Sequence, residues 1–361
     1  MTNKKPAFGL YIHWPYCLSK CPYCDFASCV IQKIDEEILL KSYIRDILFF
    51  KEAFSSIQEV TSIFFGGGTP SLMSEKMFDT LINTFSKHFS ISNHAEISLE
   101  ANPDAITLNK MKSFKQSGLN RLSIGVQSLK EKDLKFLGRK HSLQTALATI
   151  QNAKNVFNRI NIDLIYARPH QRLKDWENEL LTALNLGLSH YSLYQLTLEE
   201  NTPFYKNNIP QISQTQAVRL YKLTEDIMTA HNILPYEISN YAKKGQECRH
   251  NLIYWRGQNY LGIGPSAHGR FNLIATETQK NVAQWISSNP LLIQLTQSQK
   301  NDEELLMRLR LIQEGYLLKK LNPASIQKAI QKGWAFCDKT HLFTTQKGRL
   351  MLNQLILLLS N

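Results

Sequence analysis

The sequence predicts an α/β fold of parallel strands alternating with helices, followed by a smaller, mostly helical C-terminal part. Three observations predict it. Six short runs rich in β-branched and aromatic residues alternate with stretches that repeat apolar residues at helical spacing. The runs are largely apolar, as strands covered on both faces require. The alternation stops near residue 235, where Tyr, Gly and Asn become frequent.

The first strand is GLYIHW, followed by a cysteine-rich loop held by Pro15 and Pro22. A helix is expected over residues 35–54, marked by Ile38, Leu39, Tyr43, Ile47 and Leu48. The run TSIFFGGGTPS reads as a strand ending in a glycine turn. A helix near 74–88, the strand AEISLEANP, a helix near 107–117 and the strand NRLSIGVQS come next. Residues 143–156 are helical in pattern and lead to RINIDLIYA, then a helix over 174–186, the strand HYSLYQLTL and a helix near 213–231. Beyond residue 235 there is no βα repeat. From Asp302 the pattern is helix–turn–helix–hairpin with a last strand and helix, a winged-helix-like arrangement. The expected division is 1–235 and 236–361.

With 361 residues, 43% hydrophobic and 20% charged, the chain is of ordinary globular composition and long enough for one large and one small domain. Six cysteines, three of them bunched, argue against a secreted disulfide scaffold and for a reducing cytoplasm. MTNKKPAFGL has no signal-peptide core, and LILLL near the C-terminus is too short to span a bilayer. The net charge of +12 favours anionic partners, but no basic block marks a nucleic-acid tail.

Cys17, Cys21 and Cys24 form a C-x3-C-x2-C cluster directly after the first strand. Three thiolates cannot all pair as disulfides, but they can share one inorganic cluster. A [4Fe-4S] cube normally takes four cysteines, so three leave one iron open. A zinc knuckle or stray buried cysteines are the alternatives. Zinc would want a fourth Cys or His in a comparable pair, which does not follow nearby; Cys29 reads as a spectator. At the strand ends stand Gly66-Gly67-Gly68-Thr69-Pro70, which lets backbone approach a ligand, then Glu100, Gln127 and Asp163. Arg139 follows in LGRKH. Asp163 interrupts an apolar run and needs a partner, for which Arg139 is the candidate. In βα barrels such strand ends carry the chemistry.

The cysteine spacing resembles that of the radical S-adenosylmethionine (SAM) enzymes, whose core is a partial (βα)6 TIM-like barrel. YIHxPxCxxxCxYCDF, FFGGGTPS, ExNP, RxSxGVQS, LGRxH and HNxxYW together resemble the anaerobic coproporphyrinogen III oxidase family, and within it the HemW-type heme chaperone branch, from about Gly9 to the C-terminus. The resemblance implies that Cys17, Cys21 and Cys24 hold a [4Fe-4S] cluster whose open iron chelates SAM, and that reduction cleaves SAM to a 5′-deoxyadenosyl radical. It implies that Tyr11, Gly67 and Glu100 contact that SAM. It also implies that Tyr23, Gly68, Thr69, Gln127, Arg139 and Asp163 line the space where the oxidases hold a second SAM. One departure is Tyr166-Ala-Arg-Pro-His-Gln171, where the family has a YGLPGQ-like stretch; Arg168 and His170 bear on that loop or its ligand contacts.

Two features favour the chaperone branch. The oxidases carry a further cysteine two residues after the third ligand, where this chain has Phe26; they also have a longer N-terminal leader, whereas ten residues precede Tyr11 here. In the chaperone branch HNxxYW is the haem-binding motif. It corresponds here to His250-Asn251-Leu-Ile-Tyr254-Trp255, with imidazole an axial haem ligand; a structural His–Asn pair beside buried aromatics is the alternative. The expected function is delivery of haem to acceptor haemoproteins, in the cytoplasm or peripherally at the inner membrane face, where respiratory proteins are candidate partners. Two other readings are oxygen-independent coproporphyrinogen III oxidation and radical-SAM modification of RNA. The second predicts a basic nucleic-acid module, and the C-terminal part lacks a dense basic face.

Overall fold

The computed structural model describes residues 7–360 apart from Ser55 and Gln58, so most of the residues before Tyr11 lie outside the described chain. The six expected strands form as β1 (Phe8–Trp14), β2 (Val60–Gly67), β3 (Ile91–Ala101), β4 (Arg121–Gln127), β5 (Arg159–Tyr166) and β6 (His190–Gln195). They pair in sequence order and all in parallel. Each parallel step needs a crossover, which helices α1 (Glu36–Ala53), α2 (Glu75–His88), α3 (Leu108–Gln116), α5 (Leu143–Val156) and α6 (Leu173–Asn185) provide. A short α4 (Glu131–Phe136) sits between α3 and α5. The helix starts have chemical causes: the side chains of Asp35, Ser74, Thr107 and Ser142 accept N–H bonds from the first turns of α1, α2, α3 and α5.

Packing sorts the expected faces. In α1, Leu39, Tyr43 and Ile47 turn into the core whereas Ile38 and Leu48 face solvent. Strand side chains such as Leu10, Ile12, Phe65, Leu122 and Ile162 are fully buried, each contributing about 1.5–3 kcal/mol by burial.

After β6 come α7 (Pro203–Lys206) and α8 (Gln214–Ala230), and the strands turn antiparallel. β7 (Leu234–Pro235) and β8 (Asn240–Ala242) continue the sheet beyond β6. On the other side β9 (Tyr260–Ile263) pairs in parallel with β1, and β10 (His268–Phe271), β11 (Ile274–Glu277) and β12 (Leu291–Gln294) follow antiparallel. The twelve strands run in the order β12-β11-β10-β9-β1-β2-β3-β4-β5-β6-β8-β7. The sheet therefore reaches well past residue 235. Helix α9 (Arg249–Trp255), which carries HNLIYW, packs across the early residues of β1 and β2. The last part builds a separate core around Leu305, Leu309, Leu342 and Leu355. It combines the helices Gln297–Arg308, Pro323–Gln331 and Leu352–Leu359 with a three-stranded sheet of Tyr316–Leu317, Ala335–Cys337 and His341–Thr344. Among the described residues no helix is long and apolar enough to cross a membrane.

Candidate cofactor site

A cavity of about 380 Å³ opens at the carboxyl ends of β1–β6. Every residue assigned above to the cluster, SAM or haem lines it except Tyr11 and His250.

Its cysteine side is a loop tied down at several points. Two short strands, Tyr16–Cys17 and Cys29–Val30, pair in parallel, and the Cys24 N–H bonds to the Cys21 carbonyl at 3.1 Å. His13 Nε2 lies 2.7 Å from the Ala27 carbonyl, and Lys20 donates to the Phe26 carbonyl at 2.9 Å. All six cysteines are free thiols. Thr69 Oγ1 donates towards Cys17 Sγ at 3.4 Å, and Arg139 Nη1 towards Cys21 Sγ at 3.4 Å. Donors aimed at sulfur favour thiolate, the ligating form. Burial pushes the Cys24 thiol up. Among the described residues no three Cys, His, Asp or Glu side chains gather around a single ion. The three thiols on one wall of the cavity are a donor set that a four-iron cube can take. Phe26, at the position of the oxidases' further cysteine, is exposed at the cavity rim.

The glycine side is set by close approach. The Gly68 N–H bonds to the Trp14 carbonyl at 2.7 Å, and the Thr69 N–H to Tyr16 at 2.8 Å. A Cβ on Gly68 would stand 2.5 Å from the Tyr16 carbonyl oxygen; Gly67, at φ +107°, would meet the Trp14 carbonyl at 2.7 Å. Glycine is required at both positions.

Glu100 Oε2 accepts the Gly67 N–H at 3.3 Å. Burial, then the nearby Asp163, push its carboxyl up to about 8. Tyr11 stands beside this pair, its hydroxyl 3.0 Å from His13 Nδ1. Gln127 takes φ +70° at a bulge in β4, turning its side chain into the cavity.

Arg139 does not pair with Asp163. Its Nη2 donates to Asn102 Oδ1 at 2.6 Å and to the Gly125 carbonyl at 2.8 Å. Asp163 is held by Asn161 at 2.7 Å and Ser123 at 3.5 Å, and burial pushes its carboxyl up. The departure at 166–171 also has an internal cause. Arg168 is buried in an ion pair with Glu179 and lies 3.2 Å from Asp133, while Ala167 and His170 adopt left-handed backbone at φ +61° and +60°.

His250 sits beneath the cavity, fully buried between Phe64 and Tyr254. Nδ1 lies 2.7 Å from Ser62 Oγ and Nε2 2.7 Å from Tyr254 Oη, so both ring nitrogens are occupied. Burial, reinforced by Arg121, pushes its pKa down to about 3. Cys248 lies two residues before it at the cavity floor, its thiol pushed up to about 12 by burial. Sequence reasoning missed this floor, where Arg121, Asn161 and Asn240 also line the cavity. The only trace in sequence is that each of these residues begins a strand or stands within two residues of its start.

The sequence model of the radical SAM superfamily matches residues 11–182. The chain is 35% identical to the heme chaperone HemW of Buchnera aphidicola subsp. Schizaphis graminum, with 98% of each chain aligned. It is 32% identical to that of Bacillus subtilis over 95% of this chain and 97% of the relative. Against that of Escherichia coli K12 it is 39% identical over 74% and 71%. Among solved structures, coproporphyrinogen III oxidase (HemN) from Escherichia coli superposes with a TM-score of 0.83 at 20% identity, over 98% of this chain and 90% of that one. That likeness extends the shared fold to the whole chain. The chain belongs to the HemW heme chaperone family of the radical SAM superfamily.

Proposed function

We propose that the chain is a haem chaperone that holds a [4Fe-4S] cluster on Cys17, Cys21 and Cys24, binds SAM beside it, and passes haem to acceptor haemoproteins. The observation that carries this reading is the convergence of the three thiols, the Gly67–Gly68 turn and Glu100 on one cavity. Full-length likeness to proteins named heme chaperones supports the cargo.

When bound, the cluster supplies the electron that activates SAM. The chain's own residues do the rest. Thr69 and Arg139 donate to two of the sulfurs. Gly67 and Gly68 let the ligand approach the backbone, and Glu100 accepts hydrogen bonds from it. Tyr11 closes the wall behind Glu100. Tyr23, Gln127 and Asp163 line the remaining space, which would take the second SAM if one binds.

His250 is the proposed haem ligand, and ligation requires it to release Ser62 or Tyr254 and α9 to move. The basic surplus suits haem propionates or an anionic membrane surface bearing respiratory acceptors.

Anaerobically reconstituted protein is titrated with haem and followed by its Soret band. The band should be weaker in His250→Ala; an unchanged spectrum removes His250 as ligand. Preparations without iron and sulfide would end the cluster reading. Protoporphyrinogen formed from coproporphyrinogen III, SAM and reductant would replace the chaperone reading with the oxidase one.

A further inference from the structure

Strand β4 enters the barrel at Arg121 and leaves it at Gln127. Six residue steps at about 3.3 Å each separate its ends by roughly 20 Å. Gln127 is near the cysteine loop; Arg121 is at the opposite, deep end of the same cavity.

The other polar groups around Arg121 are already committed. Asn161 Nδ2 donates to Ser123 at 2.7 Å and to Ser192 at 2.9 Å, and Ser192 donates to Asn240 Oδ1 at 2.7 Å. Glu96, the nearest carboxylate not in the cavity lining, pairs with Arg159 Nη1 at 3.0 Å and accepts the backbone N–H of Arg249 at 2.9 Å. Asp163 is held by Asn161 and Ser123. Arg121 is left over. It is 3% exposed and lines the cavity, and its guanidinium makes neither a hydrogen bond nor an ion pair among the described residues, although the charges of Glu96 and Asp163 act on it from farther off.

A guanidinium stays charged and offers five donors in a planar fork. Leaving those donors buried without an acceptor is unfavourable, and the fork matches a carboxylate. We propose that Arg121 forms a carboxylate-binding subsite at the cavity floor, filled by a haem propionate. The haem source rests on the function proposed above.

The test uses full-length, anaerobically reconstituted protein as parent, Arg121→Gln and Arg121→Lys. Haem and haem dimethyl ester are titrated by absorbance, and SAM by calorimetry. A charge-assisted bidentate pair contributes roughly tenfold to hundredfold in affinity. For a propionate, the parent prefers haem over the ester by about tenfold or more, Arg121→Gln loses that preference, and SAM affinity is unchanged. An Arg121→Gln variant that weakens SAM by about tenfold and leaves the haem-to-ester ratio alone overturns the propionate subsite. Both affinities within about twofold of parent, with circular dichroism and melting preserved, overturn the subsite. If Arg121→Gln does not fold, Arg121→Lys decides: it keeps the charge and loses the fork, so a loss of about threefold or more for haem relative to its ester supports the subsite and no change overturns it. A parent that binds no haem defeats the chaperone reading and the subsite with it, whereas a parent that binds haem and its dimethyl ester equally overturns the subsite alone.

Discussion

Glu100 is the carboxyl whose titration the fold perturbs most usefully. Its pKa rises from 4.5 to about 8 in the folded chain, first through burial and then through Asp163. Between those values the native state holds a proton that the unfolded chain has released. Stability therefore falls as pH rises through that window, and the whole penalty is present above it. At 1.36 kcal/mol per pH unit the interval corresponds to about 5 kcal/mol. Glu100 lines a water-accessible cavity, and that screening reduces the working figure to ~2 kcal/mol. Glu100→Gln removes the titration while keeping an oxygen for the Gly67 N–H. Urea unfolding of parent and variant at pH 5 and pH 9 reads the effect. The variant should match the parent, or be slightly weaker, at pH 5 and exceed it by ~2 kcal/mol at pH 9. An identical difference at both pH values would refute the assignment of a raised carboxyl.

Gly68→Ala drives a methyl against the Tyr16 carbonyl next to Cys17, so iron bound per chain after reconstitution should fall at least severalfold, measured by colorimetric iron and sulfide assay. Cys29→Ser should leave that iron content unchanged, because Cys29 is exposed, whereas Cys21→Ser should abolish it. Arg168→Leu strands Glu179 in the core, and denaturant unfolding should show a loss of about 3–5 kcal/mol. Adding Glu179→Gln to that variant should recover part of the loss; no recovery would mean that the pair is not the cause.

The strand ends were legible because glycine turns and lone polar residues interrupt apolar runs there, as at Gly66–Gly68 and Asp163. The partner of Asp163 was not legible: Arg139 is adjacent in pattern, yet Asn102 and Gly125 capture its guanidinium. Strands β9–β12 escaped notice because each is four residues long, too short for a period to stand out. Arg121 looked like an ordinary cation at a strand entrance. Only the fold, by gathering the first residues of several strands around α9, leaves its guanidinium without a hydrogen-bond acceptor. His250 was visible as a motif, but its burial between Ser62 and Tyr254 depends on contacts with residues nearly two hundred positions away.

The pairing of β1 with β9 constrains how the chain matures. The ribosome releases β1 early but must add roughly 250 further residues before its second neighbour exists, about 12–50 s at 5–20 residues per second. Throughout that interval one edge of the strand leading into Cys17 is bare. Nascent chains stalled before Tyr260 should therefore be prone to clump through that edge.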